Sequence, residues 1–197
     1  SIDGGNHTIY GVSKLSADLF CQEWSSAFDV PVIINRFSCL YGPHQFGMVS
    51  QGWISWFVLA KILGKQLTFY GFNGKQVRDY LHIDDLFDLI SLQVQSLQSK
   101  KCSVYNVGGG SKNTISILEL SKKLDKILGI ESNINYEKPR REDQKIFISD
   151  ISKVSKEHDW IPKISLDKGL DDIIRWLRSS DLSWNNVMSS YNYFFRF

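Results

Sequence analysis

Short β-branched runs, set apart by stretches with helical spacing, constrain this chain more than any single residue does. Val32-Ile33-Ile34-Asn35-Arg36-Phe37 is one such run, of the kind buried on both faces in a parallel sheet. Ser103-Val104-Tyr105-Asn106-Val107 is another. Ahead of the first, a helix is predicted from roughly Tyr10 to Ala27, leading through Asp29-Val30-Pro31 into the strand. Between the two runs, Leu86, Leu89, Ile90 and Val94 recur at helical spacing within Asp84 to Leu97. Strands alternating with helices predict an α/β fold.

Other segments extend the pattern. A helix is predicted from Gly52 to Leu63, stopping at Gly64, and Leu67-Thr68-Phe69-Tyr70 is strand-like. Gly71-Phe72-Asn73-Gly74 makes a turn. Ser116 and Glu119 form a capping box for a helix that ends at Gly129. Strands near Asn133 to Tyr136 and Lys145 to Ile148 flank an Arg-rich loop, and Ser165 caps a last helix, Leu166 to Arg178. Ser38 to Ser50 has no clear periodicity, and its Gly, Pro, His and Gln content suits a binding loop. Residues 179–197 form an aromatic tail of unassigned role, either docked on the body or a divergent end.

Composition narrows the class. The 197 residues are 43% hydrophobic and 22% charged, which argues against disorder, and a net charge of +2 gives no strong pull toward nucleic acid or a membrane. No apolar run approaches the length of a membrane span. Cys21, Cys39 and Cys102 show neither metal spacing nor a disulfide framework, so a reducing, cytoplasmic setting is expected. Asn6-His7-Thr8 matches a glycosylation sequon by coincidence. His82 lies near Asp84 and Asp85 without zinc spacing; a structural hydrogen bond at a strand end is expected, and no metal site.

Several residues carry chemistry. Tyr10 and Lys14 are four apart, one helical turn from each other. A cation beside a phenol favours the phenolate, which lets a tyrosine act as acid or base. The plainer alternative is a surface pair on an amphipathic helix. The Arg78 guanidinium could fork onto two phosphate oxygens, or pair with neighbouring Asp79. Arg140 to Asp143 could be a ligand site or a solvated charge run. Trp53 and Trp56, three apart, suit a helix core better than a base-stacking platform.

Tyr10-Gly11-Val12-Ser13-Lys14, Tyr41-Gly42-Pro43, Arg78-Asp79-Tyr80-Leu81-His82-Ile83-Asp84-Asp85, Arg140-Arg141-Glu142-Asp143 and Trp160-Ile161-Pro162 follow in a fixed order. Together they resemble the extended short-chain dehydrogenase/reductase family of nucleotide-sugar epimerases and dehydratases, over about residues 8 to 178. Gln45-Phe46, Gln51 to Phe57 and Gly74 to Asp79 resemble its CDP-paratose 2-epimerase (CDP-tyvelose epimerase) branch.

That resemblance implies NAD as cofactor and a nucleotide-diphosphate sugar, a CDP-hexose, as substrate, with a homo-oligomer at full length. Tyr10 would exchange the proton of the sugar hydroxyl, Lys14 would hold the cofactor ribose, and Ser38 would border the nicotinamide. Arg78 and Arg140 would meet the phosphates and Asp143 the nucleoside ribose; Gln45, Gln51 and Gln76 would bind sugar hydroxyls or sit on polar loops. The C2 hydroxyl would be oxidised and the ketone reduced on the opposite face. The alternatives are a 4-epimerase, a 4,6-dehydratase, or a non-catalytic remnant that binds a sugar nucleotide. A dehydratase should carry an acidic pair just before the tyrosine, where only Asp3 is found.

A dinucleotide site of this type needs a Gly-rich turn between a strand and a helix. Gly108-Gly109-Gly110 is followed by no helix at the right distance and reads better as a mobile turn. In the family, the Gly-rich turn and a catalytic Ser or Thr precede the tyrosine, and only nine residues precede Tyr10. The expected fold is therefore α/β: the later part of a doubly wound, Rossmann-like parallel sheet plus a smaller α/β substrate lobe, the N-terminal Gly-rich half being absent. Residues 1–40 and 80–107 would belong to the NAD-binding domain, and 41–79 and 108–178 to the substrate lobe.

Overall fold

The computed structural model describes residues 8–99, 101–140 and 143–179. Asp3, Asn6, Arg141, Glu142 and the aromatic tail beyond Ser179 lie outside the described residues. In chain order the elements are α1 (Ile9–Phe28), β1 (Val32–Phe37), β2 (Cys39–Tyr41), α2 (Trp53–Ile62), β3 (Leu67–Tyr70), β4 (Val77–His82), α3 (Ile83–Ser96), β5 (Cys102–Val107), β6 (Thr114–Ser116), α4 (Ile117–Leu128), β7 (Ile134–Glu137), β8 (Ile146–Phe147), α5 (Ser152–His158) and α6 (Leu166–Ser179).

The helices begin and end where short polar residues and left-handed positions dictate. The Thr8 hydroxyl accepts from the Gly11 N–H at 2.9 Å, and Asp29, at φ 53°, ends α1 just before Pro31. The His82 imidazole accepts from the Asp84 N–H at 3.3 Å, so the last residue of β4 caps α3, which is the structural bond expected of it. The Ser116–Glu119 capping box forms as predicted, and Gly129 closes α4 in the left-handed region.

Two parts of the molecule follow. In the first, β1 and β5 pair in parallel, Ile34 opposite Val104. Ser25, buried at the end of α1, donates to the Val30 and Lys101 carbonyls and ties the helix to the start of both strands. The side-chain amides of Asn35 and Gln93 bond reciprocally and tie β1 to α3. Leu81, Leu86, Leu89, Tyr105, Val107, Val154 and Trp160 form its apolar centre. Asp85 fixes the Trp160-Ile161-Pro162 segment: its carboxylate accepts from the Lys163 and Ile164 N–H groups, and its carbonyl accepts from the Trp160 indole.

In the second part, α2, α4 and α6 enclose a larger cluster that includes Phe57, Val58, Phe69, Leu120, Leu124, Leu170 and Ile173. β3 pairs in parallel with β7. β4 links the parts: its end pairs in parallel with β2, while its start lies between antiparallel β6 and parallel β8.

β2, β6 and α5 have no counterpart in the sequence reading because three to seven residues are too few to show a period. β4 carries Arg78, Asp79 and His82, which mask a strand pattern. It is tolerated because its polar groups are bonded: Asp79, fully buried, accepts from the Ser38 hydroxyl and, at 3.2 Å, from the Gly110 N–H. The expectation of a mobile turn at Gly108 to Gly110 is corrected here. All three glycines are buried, and a Cβ on Gly108 would collide with the Asp79 carboxylate, so lack of a side chain lets this backbone pack on β4.

Candidate functional site

A cleft of about 560 Å³ opens where β4, α2 and the loop after β7 converge. It brings together Tyr10, Gln51, Gln76, Arg78, Arg140 and Asp143, which are spread over more than 130 positions of sequence. Thr8 and Tyr10 enter from the first turn of α1. Thr68 and Tyr70 enter from β3, whose period of two sends Leu67 and Phe69 into the core and the other two outward.

Arg140 is placed by a close backbone approach. Gly71, at φ 70°, donates to the Glu137 carbonyl at 2.8 Å, and a Cβ there would lie 2.7 Å from Pro139. The loop so held lays the Arg140 guanidinium over the Tyr70 ring, 4.0 Å from its centroid. Its Nη2 donates to the Val49 carbonyl at 2.7 Å and bridges two walls of the cleft.

Arg78 pairs with Asp143 at 2.8 Å, both side chains being largely buried; Asp79, the partner considered from the sequence, is engaged elsewhere. Arg78 and the Arg140-to-Asp143 motif therefore meet in space. α2 opens on the same cleft. Among the described residues no side chain caps its first turn, which leaves backbone N–H groups and the positive end of the helix dipole beside Gln51 and Gly52. Two guanidinium groups and a free helix N-terminus suit a diphosphate.

The remaining site residues lie elsewhere. Lys14 stands 5.4 Å from the centroid of the Tyr10 ring, but both are exposed on α1 and Lys14 does not line the cleft. Ser38 is bonded to Asp79. Gln45 is taken up internally: its amide donates to the Leu40 carbonyl and accepts from the Ser55 hydroxyl. Trp53 and Trp56 pack against the core and also line the cleft. Cys39, Tyr70 and Ile117 belong to the lining without having been singled out; the alternation in β3 was the one usable signal, for Tyr70. Burial raises the Cys39 thiol above its ordinary value, with the Trp53 indole pulling the other way.

The described residues fit NAD only in part. Tyr10 and Lys14 offer a phenol and a cation on an open face. Among the described residues, no Gly-rich turn leads from a strand into a helix; the one glycine run is packed on β4.

Fold and cleft together define a Rossmann-like protein of the nucleotide-sugar epimerase and dehydratase kind. Residues 5–173 match the family described as GDP-mannose 4,6 dehydratase, and the chain belongs to that family. It is 33% identical over 178 residues to CDP-paratose 2-epimerase of Salmonella typhi, a match covering 88% of this chain and 52% of the relative. It is 28% identical over 193 residues to a dTDP-glucose 4,6-dehydratase of Escherichia coli, covering 91% and 51%. Among solved structures, MoeE5 in complex with UDP-glucose and NAD superposes with a TM-score of 0.77 at 26% identity, covering 86% of this chain and 55% of that one. UDP-glucuronic acid 4-epimerase from Bacillus cereus, in complex with UDP-glucuronic acid and NAD, gives 0.75 at 28% identity, covering 89% and 57%. The chain thus spans about half the length of the curated relatives it matches.

Proposed function

We propose that this chain forms the substrate-binding portion of an NAD-dependent nucleotide-sugar epimerase, most like a CDP-paratose 2-epimerase, that works as a homo-oligomer in the cytoplasm. The observation that carries the reading is the convergence of Tyr10, Arg78, Arg140 and Asp143 on one cleft. In this reading residues 1–40 and 80–107 lie on the cofactor side and 41–79 with most of 108–178 on the substrate side; Val154 and Trp160, which pack beside β5, correct that boundary and join the cofactor side. The diphosphate of a CDP-hexose lies between Arg78, Arg140 and the start of α2. Asp143 turns to the nucleoside ribose, and Gln51 and Gln76 meet polar groups of the substrate. Tyr10 takes the proton of the C2 hydroxyl and returns one later. When bound, NAD supplies the hydride chemistry, with Lys14 and Ser38 on the protein side.

The test is turnover. A version extended to the length of its relatives, given NAD and a CDP-linked hexose, should convert it to the C2 epimer. Turnover confined to the 4-position, or loss of water from the sugar, would overturn the 2-epimerase reading. The chain by itself should not bind NAD; a dissociation constant near or below about 10 μM, roughly −7 kcal/mol, would contradict that.

A further inference from the structure

Among the described residues, two buried polar atoms of the cleft lack a hydrogen-bond partner, and they are of opposite kind. Gln76 is 3% exposed and lines the same cleft as Arg78, two residues further on. Its Nε2 donates to the Tyr70 carbonyl at 3.0 Å, which fixes the sense of the amide, because only the nitrogen end can donate. Oε1 is then a buried acceptor with no donor among the described residues. Trp53 lines the same cleft, and its indole N–H is a buried donor with no nitrogen or oxygen acceptor among the described residues. It lies near enough to lower the Cys39 thiol's pKa against the larger effect of burial, but sulfur is a weak acceptor. Buried polar atoms are nearly always paired, so an unpaired couple in one cleft points to a ligand.

We propose that Gln76 Oε1 and Trp53 Nε1 select the base of a cytidine diphosphate ligand, the first accepting from its exocyclic amine and the second donating to the adjacent ring nitrogen. The proposal rests on the nucleotide-sugar reading and deepens it. Uracil and thymine present the reverse pattern, a carbonyl and an N–H, and would set acceptor against acceptor and donor against donor. A hydroxyl of ribose or hexose can donate or accept, so it would give no such preference. Both protein atoms are shielded from solvent. Admitting a base therefore requires side-chain movements of the kind common at binding sites.

Calorimetric titration of the full chain with CDP and with UDP, at one ionic strength, tests this. CDP should bind about tenfold or more tightly. Gln76→Leu and Trp53→Phe should each narrow that ratio, Gln76→Leu to within about threefold. The ratio separates base reading from a general loss of cleft shape, which would weaken both ligands alike. If Gln76→Leu does not fold, Trp53→Phe decides the matter. Equal binding of CDP and UDP by the unaltered chain overturns the proposal and leaves the nucleotide reading standing. So does a ratio unchanged by the variants, or a Gln76→Leu effect seen with CDP-glucose but not with CDP. Absence of binding by either nucleotide overturns both.

Discussion

The sheet of β1 and β5 and the lobe around α2, α4 and α6 treat apolar side chains in opposite ways. In the lobe, Leu120, Leu124, Leu170 and Ile173 are fully buried. Beside the sheet, Phe20, Trp24 and Phe28 of α1 and Phe87 of α3 are each more than half exposed. The cause is visible in the helices. α4 and α6 keep their apolar residues on one stripe that meets the core, whereas α1 buries only Ser25. In the proposed function the division is also chemical. The phosphate-binding groups stand on the packed side, and Tyr10 and Lys14 stand on the open one.

The largest expected effect tests that chemical division. In a version extended to the length of its relatives, Tyr10→Phe should lower turnover by about 10²–10⁴-fold, the usual contribution of a general acid–base group, with nucleotide-sugar affinity nearly unchanged. A loss below about fivefold would take Tyr10 out of the chemistry. Leu124→Ala tests the packing side: emptying a fully buried site should cost about 2–5 kcal/mol in denaturant unfolding. A cost under about 1 kcal/mol would mean that the lobe is as loosely packed as the sheet region.

Arg78→Ala and Arg140→Ala should each weaken binding of a cytidine diphosphate by about 1.5–3 kcal/mol, the range for charge-assisted bonds. Unchanged affinity in both variants would remove the phosphate role from the cleft. His82, between the two parts, gives a smaller and pH-dependent effect. Burial, the largest cause, holds its imidazole below the ordinary 6.5, against the pull of Asp84, Asp172 and Asp85; Lys168 acts in the same sense as burial. The folded state thus prefers neutral His82. This contribution to stability is present above about pH 6.5 and is lost as pH falls through the lower, folded value. Unfolding midpoints measured from about pH 7.5 to about pH 5, a range spanning the ordinary histidine value, should decline, and His82→Asn should flatten the decline. An unaltered profile would assign the dependence to other groups.

Elements with a strong local signal were legible in the sequence. The β-branched run of β1, the Ser116–Glu119 capping box and the helical spacing of α3 all matched the structure within a residue or two. For β4 the sequence shows only the strand end at His82; the rest of the strand is hidden, because its stability comes from partners far away in sequence: Ser38, Gly110 and Asp143. For the site, motifs identified Tyr10, Gln51, Gln76, Arg78, Arg140 and Asp143 as candidates, and the cleft brings these six together. Spacing could not show that Gln45 is occupied by Leu40 and Ser55, or that Arg140 stacks on Tyr70. Those facts depend on how loops approach one another, which no local pattern encodes.

The smallest expected change in stability bears most directly on why the open region is apolar. Phe20 and Phe87 are 75% and 70% exposed, so Phe20→Ser and Phe87→Ser remove little buried area. Surface substitutions of this kind usually fall within about 0.5 kcal/mol. The same rings nevertheless extend an exposed apolar surface on α1 and α3 that includes Leu19, Trp24, Phe28, Ile90 and Val94. Such patches promote association, and paired strands with an uncovered flank invite further pairing. The unaltered chain should therefore self-associate at micromolar concentration in sedimentation or light scattering. The double variant should associate less while unfolding at nearly the same denaturant concentration. If the unaltered chain sediments as a stable monomer with cooperative unfolding, the two regions differ only in appearance. If the double variant loses several kcal/mol, the rings are part of a core, and the contrast between the sheet and the lobe fails at its most exposed point.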